Sequence, residues 1–201
     1  MSPSLFIADP ERPVTETPSP HVIDTDTLSG DLKPIRQIIL SLGSNLGDRE
    51  HNLQGAVDAL RDTPDVQVVQ ASPVYATEPV DAPAGSGEYL NIVILADTTL
   101  SVDTLLDRAH AIEQAFGRER SEPGAPRTLD VDLITYGNKA IETDELTIPH
   151  PRAHERAFVL APWLDIEPEA VLPGRGPVAD LLGAVGTKGV RRLEDVTIEL
   201  Q

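Results

Sequence analysis

The chain has 201 residues, no cysteine and a formal net charge of −17. This length is enough for one domain with a substantial core, and the lack of cysteine excludes disulfide scaffolds, thiolate catalysis and cysteine-based zinc sites. The strongly acidic balance repels phosphate backbones and anionic lipid, so nucleic acid and membrane surfaces are not expected as partners.

Residues 1–35 differ in character from the rest of the chain. They hold six prolines, six acidic residues and only two basic ones, with no sustained periodicity. Such a segment buries too little apolar surface to offset its ordering entropy, which predicts a disordered acidic tail. No apolar run approaches the length of a membrane helix, and the start lacks a signal peptide, so we expect a cytoplasmic protein.

The folded domain is predicted to span residues 36–201. It begins with RQIILSLGSNLG, an apolar run that ends in a turn and predicts a buried strand from Arg36. Asp48 is then placed to cap a helix with one buried stripe, and a strand is predicted from about Val66 to Tyr75. A Pro- and Gly-rich loop from Ala76 to Glu88 and a strand from Tyr89 to Asp97 follow.

The second half of the domain repeats this alternation. Ser101 is predicted to cap a helix that ends at Gly117, and a long loop then leads to the strand that contains Asp130. A Pro/His turn, a short helix over Ala153 to Arg156, the buried run AFVLAPWL, another short helix and a closing strand complete the chain. This order favours an α+β sandwich of ferredoxin-like type with a mainly antiparallel sheet.

Asp130 and Asp132 stand one residue apart in the otherwise apolar strand PRTLDVDLITYG. Side chains at i and i+2 of a strand project to the same face, where two carboxylates about 5 Å apart repel by roughly 3 kcal/mol. A shared cation removes that cost, so the pair predicts a Mg²⁺ site. The alternative is a solvated strand face.

Arginines surround the aspartate strand. Arg118, Arg120 and Arg127 fall within ten residues of an acidic chain, and guanidinium groups bind phosphate oxygens bidentately. The alternative is that they balance nearby acidic residues. His150 and Arg156 could reach the same phosphates, although a lone histidine more often satisfies a turn hydrogen bond.

Aromatic residues and an amide could form a second part of the site. A planar heterocycle could lie between Tyr89 and Phe158 while the Asn91 amide binds its edge. Core packing is the competing account for both aromatic residues. The chain has neither GxxxxGK[ST] nor GxGxxG, so arginines and metal would have to hold phosphate.

Taken together, these segments resemble the 6-hydroxymethyl-7,8-dihydropterin pyrophosphokinase family. The resemblance covers Gln37 to about Leu182 and rests on LSLGSNLGDRE, SPVYATEPV, YLNIVI, FGRER, PRTLDVDLITYGN and IPHPRAHERAFVLAPW in the family's order. It implies a ferredoxin-like fold with added elements, and transfer of a diphosphoryl group from ATP to a pterin alcohol with release of AMP.

The resemblance also implies roles for individual residues. Asp130 and Asp132 would hold two Mg²⁺ ions, and catalysis would rest on these two with Arg118 and Arg127. Nucleotide contacts would come from Glu113, Arg118, Arg120, Arg127, Leu133, Thr147, His150 and Arg156. The pterin would be bound by Ser44, Asn45, Thr77, Val80, Tyr89, Asn91 and Phe158.

Two features depart from the family pattern. This chain has GAPRT where the family commonly has WGPRT, so Gly124 replaces a loop tryptophan, and we expect weaker loop closure without loss of chemistry. The acidic tail has no counterpart in the minimal enzyme. A monomer is expected, and because some family members are fused to neighbouring folate enzymes, a contact with other folate-pathway enzymes stays open.

Two other functional classes remain open at this point. Another Mg²⁺-dependent nucleotidyl or phosphoryl transferase could use the same pair of aspartates, and a non-catalytic nucleotide- or pterin-binding module could lack the loop tryptophan. An interaction protein built around the tail has little support.

Overall fold

The computed structural model describes residues 33–78, 87–117 and 127–200. Within them the strands are β1 Arg36–Ser44, β2 Val66–Ala71, β3 Tyr75–Thr77, β4 Tyr89–Thr98, β5 Asp130–Tyr136, β6 Ile141–Glu142, β7 Thr147–Ile148, β8 Val171–Leu172, β9 Gly176–Pro177 and β10 Val190–Arg192. The helices are α1 Arg49–Arg61, α2 Val102–Ala115, α3 Ala157–Ile166 and α4 Val178–Val185, with a 3-10 helix at Ala153–Glu155.

A six-stranded sheet forms the centre of the domain. Its order is β10-β3-β4-β1-β5, and β2 pairs with the far half of β4. Every one of these pairs is antiparallel. The mixed α+β class with a mainly antiparallel sheet, predicted from the order of elements, is confirmed.

Helices pack on both faces of the sheet. The main core joins α1 and α2 to one face and includes Leu40, Leu53 and Ile112. A second core joins α3 and α4 to the opposite face and includes Val93 and Trp163. The layer of α3 and α4 corresponds to the added elements expected beyond the ferredoxin-like unit.

The predicted caps are confirmed for the first two helices. The Asp48 side chain accepts a hydrogen bond from the backbone N–H of His51, and the Ser101 side chain accepts one from Thr104. Gly117 follows α2 with φ +78°, the left-handed conformation that glycine adopts at helix ends.

Two of the predicted elements were wrong in their bounds. The strand predicted from Val66 to Tyr75 is two strands, β2 and β3, because Pro73 has no backbone N–H and interrupts the ladder. The Ser72 hydroxyl accepts from the Val93 N–H at 2.9 Å at this break. The helix predicted over Ala153 to Arg156 is a 3-10 helix that ends at Glu155, and AFVLAPWL forms most of α3.

One face of the sheet changes from apolar to polar along its length. On β1, Ile39 packs in the second core, while Ser41 and Gly43 continue the same face beyond it. On β5, Ile134 is likewise followed toward the strand's start by Asp132 and Asp130, because i and i+2 share a face. The second core therefore ends where a polar cavity begins.

The predicted tail can be compared with the structure only at its boundary. β1 begins at Arg36, as expected. Residues 1–32 lie outside the described residues, so the tail's disorder stays a prediction. Among the helices of the described ranges, none has the length and apolar character needed to cross a membrane.

Candidate active site

A cavity of about 530 Å³ opens on the α3 and α4 side of the sheet. Its floor comes from the polar ends of the strands, and its sides come from the start of α3 and from the turn after α4. The lining includes eight predicted site residues, namely Thr77, Tyr89, Asn91, Arg127, Asp130, Asp132, Arg156 and Phe158.

The two aspartates occupy the floor of this cavity side by side. Asp130 lies opposite Gly43 and Asp132 lies opposite Ser41 in the β1–β5 ladder. Val131 between them points into the main core and is 6% exposed, whereas the two carboxylate side chains are about 30% exposed. The predicted sharing of one face is therefore confirmed.

Each aspartate is paired with an arginine. A guanidinium nitrogen of Arg127 lies 2.5 Å from the Asp130 carboxylate, and one of Arg156 lies 2.8 Å from Asp132. Burial alone lowers the pKa of Arg127, but the charges of Asp130 and Asp132 outweigh it and raise that pKa, so the side chain stays charged. The arginines thus offset the repulsion expected between the carboxylates.

His150 lies beside the second of these ion pairs. Its Nδ1 accepts a hydrogen bond from the Arg152 backbone N–H at 3.1 Å, which is the turn interaction considered as an alternative. Its Nε2 lies 3.4 Å from Arg156 and 3.9 Å from Asp132. Burial lowers the pKa of His150, the Asp132 charge opposes this and the Arg156 charge adds to it. A neutral ring at this position limits the positive charge next to Arg156.

The cavity is also lined by an amide, Asn91, and by two aromatic residues, Tyr89 and Phe158. Asn91 Nδ2 donates to Thr77 Oγ1 at 2.8 Å, and Asn91 is 4% exposed. Burial raises the pKa of the Tyr89 phenol, so this group stays neutral. Phe158 contacts the edge of the second core and also lies 5.5 Å beneath the Arg156 guanidinium. Phe158 therefore both packs against the second core and lines the cavity.

Ser44 and Asn45 do not line the cavity but support it. The Ser44 hydroxyl donates to the Thr128 carbonyl at 2.6 Å. Asn45 Oδ1 accepts from the Arg127 backbone N–H at 2.8 Å, and the Asn45 N–H donates to the Arg127 carbonyl at 3.1 Å. These contacts hold the backbone of Arg127 and Thr128, and the predicted contact of Ser44 and Asn45 with the pterin stays a prediction.

Four of the described residues predicted to contact the nucleotide lie outside the cavity lining, namely His150, Glu113, Leu133 and Thr147. Glu113 is 2% exposed on α2, and its carboxylate accepts from the Val131 N–H at 2.8 Å. Leu133 packs in the main core, and Thr147 is exposed on β7. Their roles toward a nucleotide stay predictions. Val80, Arg118, Arg120 and Gly124 lie outside the described residues.

The cavity also contains residues that sequence reasoning missed. They are Ser41, Gly43, Glu78, Arg152, Glu155, Ala157 and the stretch 185–190 except Thr187. Ser41 and Gly43 carried a usable signal, because they continue the alternating face of β1 that ends at Ile39. A side chain at Gly43 would have its Cβ 2.9 Å from Asn91 Oδ1, so glycine is what leaves room for the amide. Residues 185–190 carry no sequence pattern that predicts a place in the cavity.

Comparison with known proteins gives a consistent result. The family model for 7,8-dihydro-6-hydroxymethylpterin-pyrophosphokinase (HPPK) matches residues 39–168. The 2-amino-4-hydroxy-6-hydroxymethyldihydropteridine pyrophosphokinase of Pseudomonas aeruginosa is 36% identical over 159 residues, which cover 79% of this chain and 98% of that protein. The Mycobacterium tuberculosis H37Rv protein of the same name is 42% identical over 159 residues, covering 73% of this chain and 82% of that protein.

Solved structures show the same fold at low sequence identity. A crystal structure of an HPPK-DHPS in complex with substrates has a TM-score of 0.63 at 12% identity and covers 80% of this chain. Wild-type Plasmodium falciparum HPPK-DHPS with pterin and p-hydroxybenzoate also has a TM-score of 0.63 at 12% identity and covers 85% of this chain. The chain matches only 47% and 49% of the lengths of those two chains, respectively.

Proposed function

The chain belongs to the 7,8-dihydro-6-hydroxymethylpterin-pyrophosphokinase family, and on that premise we propose that it transfers diphosphate from ATP to 6-hydroxymethyl-7,8-dihydropterin. The products are the pterin diphosphate ester and AMP, and the step belongs to folate biosynthesis. One observation supports this proposal above the others: a single cavity holds a polyphosphate end, with two Asp–Arg pairs, and a heterocycle end, with Tyr89, Asn91 and Phe158.

The polyphosphate end suits a metal that arrives with the nucleotide. Among the described residues, no group of three or more His, Cys, Asp or Glu side chains could hold a metal ion. Mg²⁺ in phosphoryl-transfer sites is usually held by one or two carboxylates together with substrate phosphates and water, so the pair Asp130 and Asp132 fits that donor set. Two Mg²⁺ ions held there would neutralise charge on the phosphate oxygens.

The two ion pairs stabilise the charged groups that line this part of the cavity. Arg127 lies within hydrogen-bonding distance of Asp130, and Arg156 lies within hydrogen-bonding distance of Asp132, so each of these partly buried charges has a partner of opposite sign. On substrate binding, Arg127 and Arg156 exchange a carboxylate for phosphate oxygens, which guanidinium groups bind in a fixed fork. Asp130 and Asp132 would then be available to hold Mg²⁺.

The heterocycle end orients the acceptor. Tyr89 and Phe158 line the cavity with aromatic rings, and the Asn91 amide would supply a donor and an acceptor to the pterin edge. Thr77 Oγ1 fixes that amide through its hydrogen bond. The pterin hydroxymethyl oxygen then forms a bond to the β-phosphorus and loses its proton to solvent, as the bond from that phosphorus to the AMP oxygen breaks. These residues contribute mainly by positioning the two substrates.

The reaction is tested by incubating the full chain with ATP, Mg²⁺ and the dihydropterin alcohol and separating the products. Formation of AMP and pterin diphosphate in equal amounts is the expected result. Release of inorganic diphosphate would indicate nucleotidyl transfer, and binding of both substrates without product would indicate a binding module. Omitting Mg²⁺, or adding a chelator, is expected to stop product formation.

The remaining expectations are proposals of the same kind. We propose a cytoplasmic monomer in which residues 1–35 form a disordered tail attached to a catalytic domain of residues 36–201. Deletion of residues 1–35 should then leave the steady-state constants unchanged, and light scattering should give the mass of one chain.

A further inference from the structure

The turn that follows α4 forms one side of the cavity. Val185, Gly186, Lys188, Gly189 and Val190 line it. This stretch lies beyond residue 168, where the match to the family model ends. The C-terminal part of the chain therefore contributes to the cavity without belonging to the matched region.

The turn is held in place from both sides. β10 begins at Val190, which lies opposite Thr77 in the ladder with β3. The Glu78 N–H donates to the Gly189 carbonyl at 2.9 Å. Gly189 has φ +74°, and a Cβ there would lie 3.1 Å from the Glu78 carboxylate, so this position favours glycine on two grounds. The turn is thus fixed against the strand that carries Thr77.

The opposite end of the turn is fixed to the arginine side of the cavity. α4 packs against α3 and against the 3-10 helix that precedes Arg156. The Gly186 N–H donates to the Leu182 carbonyl at 2.8 Å and so joins the turn to α4. The turn therefore spans from the Arg156 side of the cavity to the Thr77 side.

Lys188 is the cation of this turn. It is exposed and lines the cavity, and among the described residues no carboxylate lies within 4.0 Å of its amine. Arg127 and Arg156 differ from it, because each is paired with an aspartate. In a chain of net charge −17, a cation in this cavity for which the described residues provide no carboxylate partner is available to an anionic ligand.

We propose that Lys188 binds the phosphate groups of the nucleotide and so acts as a further substrate-binding residue, contributed by the C-terminal turn. This inference rests on the proposed function, since it takes ATP as the occupant of the cavity. The effect of an exposed ion pair is modest, and we expect Lys188→Gln to raise the ATP dissociation constant about two- to fivefold. Lys188→Glu should raise it further, and Lys188→Arg should restore it.

Lysine labelling gives a readout that does not depend on turnover. The chain has only three lysines, Lys33, Lys139 and Lys188. Acetylation of the full chain with a succinimidyl ester, followed by peptide mass spectrometry, should show Lys188 protected by ATP with Mg²⁺ and by inorganic triphosphate. The pterin alcohol alone should give no protection. Lys139 lies in the turn after β5, away from the cavity lining, and should be labelled equally in all cases.

The binding experiment uses Lys139→Gln as the matched control, because it removes the same charge from a different surface. Calorimetric titration with ATP should distinguish Lys188→Gln from this control, and the difference should shrink as salt is added. Unchanged ATP affinity in Lys188→Gln together with unprotected Lys188 would overturn the inference, as would a loss confined to pterin affinity. Wild-type turnover tests the proposed function separately, because a wild-type protein that forms no AMP contradicts that function whatever Lys188 does.

Discussion

Replacing Gly43 with alanine tests whether Asn91 binds the pterin. The new Cβ would lie 2.9 Å from Asn91 Oδ1, about 0.5 Å short of the 3.4 Å at which ordinary contact begins. Asn91 has little room to yield, because it is 4% exposed and its Nδ2 is hydrogen-bonded to Thr77. The amide must therefore shift or rotate, and its alignment with a bound heterocycle is lost.

The expected magnitude follows from that displacement. Overpacking of a well-packed site costs about 1–3 kcal/mol of folding free energy, and misalignment of one or two hydrogen bonds costs about 1–2 kcal/mol of binding free energy. Pterin affinity should then fall about 5- to 30-fold. ATP affinity should change little, because the three nearest contacts of the new Cβ are all to Asn91 and Tyr89, and none is to Asp130 on the neighbouring strand.

Calorimetry with the pterin in the presence of a non-hydrolysable ATP analogue measures the pterin affinity. Titration with the analogue alone measures the affinity for the nucleotide. Urea unfolding monitored by fluorescence of the single tryptophan, Trp163, reports the stability change. Gly183→Ala on α4 is the matched control, since a Cβ there meets no atom within 4 Å. Wild-type pterin affinity in Gly43→Ala, or an equal loss of ATP affinity, would refute the assignment of Asn91.

Four further substitutions probe other parts of the molecule. Asp130→Ala and Asp132→Ala are expected to abolish turnover with at most about 1 kcal/mol lost from stability, since both ion pairs are partly exposed; substantial Mg²⁺-dependent activity in either variant would contradict the metal role. Phe158→Ala should raise the pterin dissociation constant and leave that of ATP little changed, whereas equal loss of both would identify Phe158 as a packing residue. The Tyr75 hydroxyl donates to Asp165 at 2.8 Å, and burial followed by that contact raises the pKa of Tyr75 to about 12. Because this pKa is above the ordinary 10.0, the stability that the protonated Tyr75 hydroxyl confers is complete below pH 10 and is lost as the pH rises toward 12. Tyr75→Phe should therefore be less stable by about 1 kcal/mol at neutral pH. In unfolding titrations this variant should also lack the loss of stability at alkaline pH.

The features predicted correctly from the sequence are those that depend on neighbours along the chain. Asp130 and Asp132 share a face because strand side chains alternate, and this holds whichever strand pairs with them. The helix stripe of α1 and its Asp48 cap follow from helical periodicity and from one side chain that reaches three residues ahead. Local geometry was sufficient for these features.

The features that were missed depend on pairing between distant segments. The turn that contains Lys188 contacts Glu78 only because β10 pairs with β3. No sequence pattern within β10 or β3 predicts that pairing. Glu113 offers another example, since its buried carboxylate accepts from the Val131 N–H of a strand 18 positions further on. The family resemblance suggested that Glu113 lies near the nucleotide, but it did not indicate this backbone contact.

The central strands β1 and β4 supply residues to both hydrophobic cores and to the floor of the cavity. A local opening that released Gly43 or Asn91 would have to separate the β1–β4 ladder, in which the two residues lie opposite each other, and also the ladder that joins Gly43 to β5 or Asn91 to β3. The backbone amides at the cavity floor should consequently exchange their hydrogens with solvent only at the rate set by global unfolding. A destabilising change in the α1 stripe would thus lower the fraction of folded molecules, while each molecule that remains folded would keep the same geometry for its ligands.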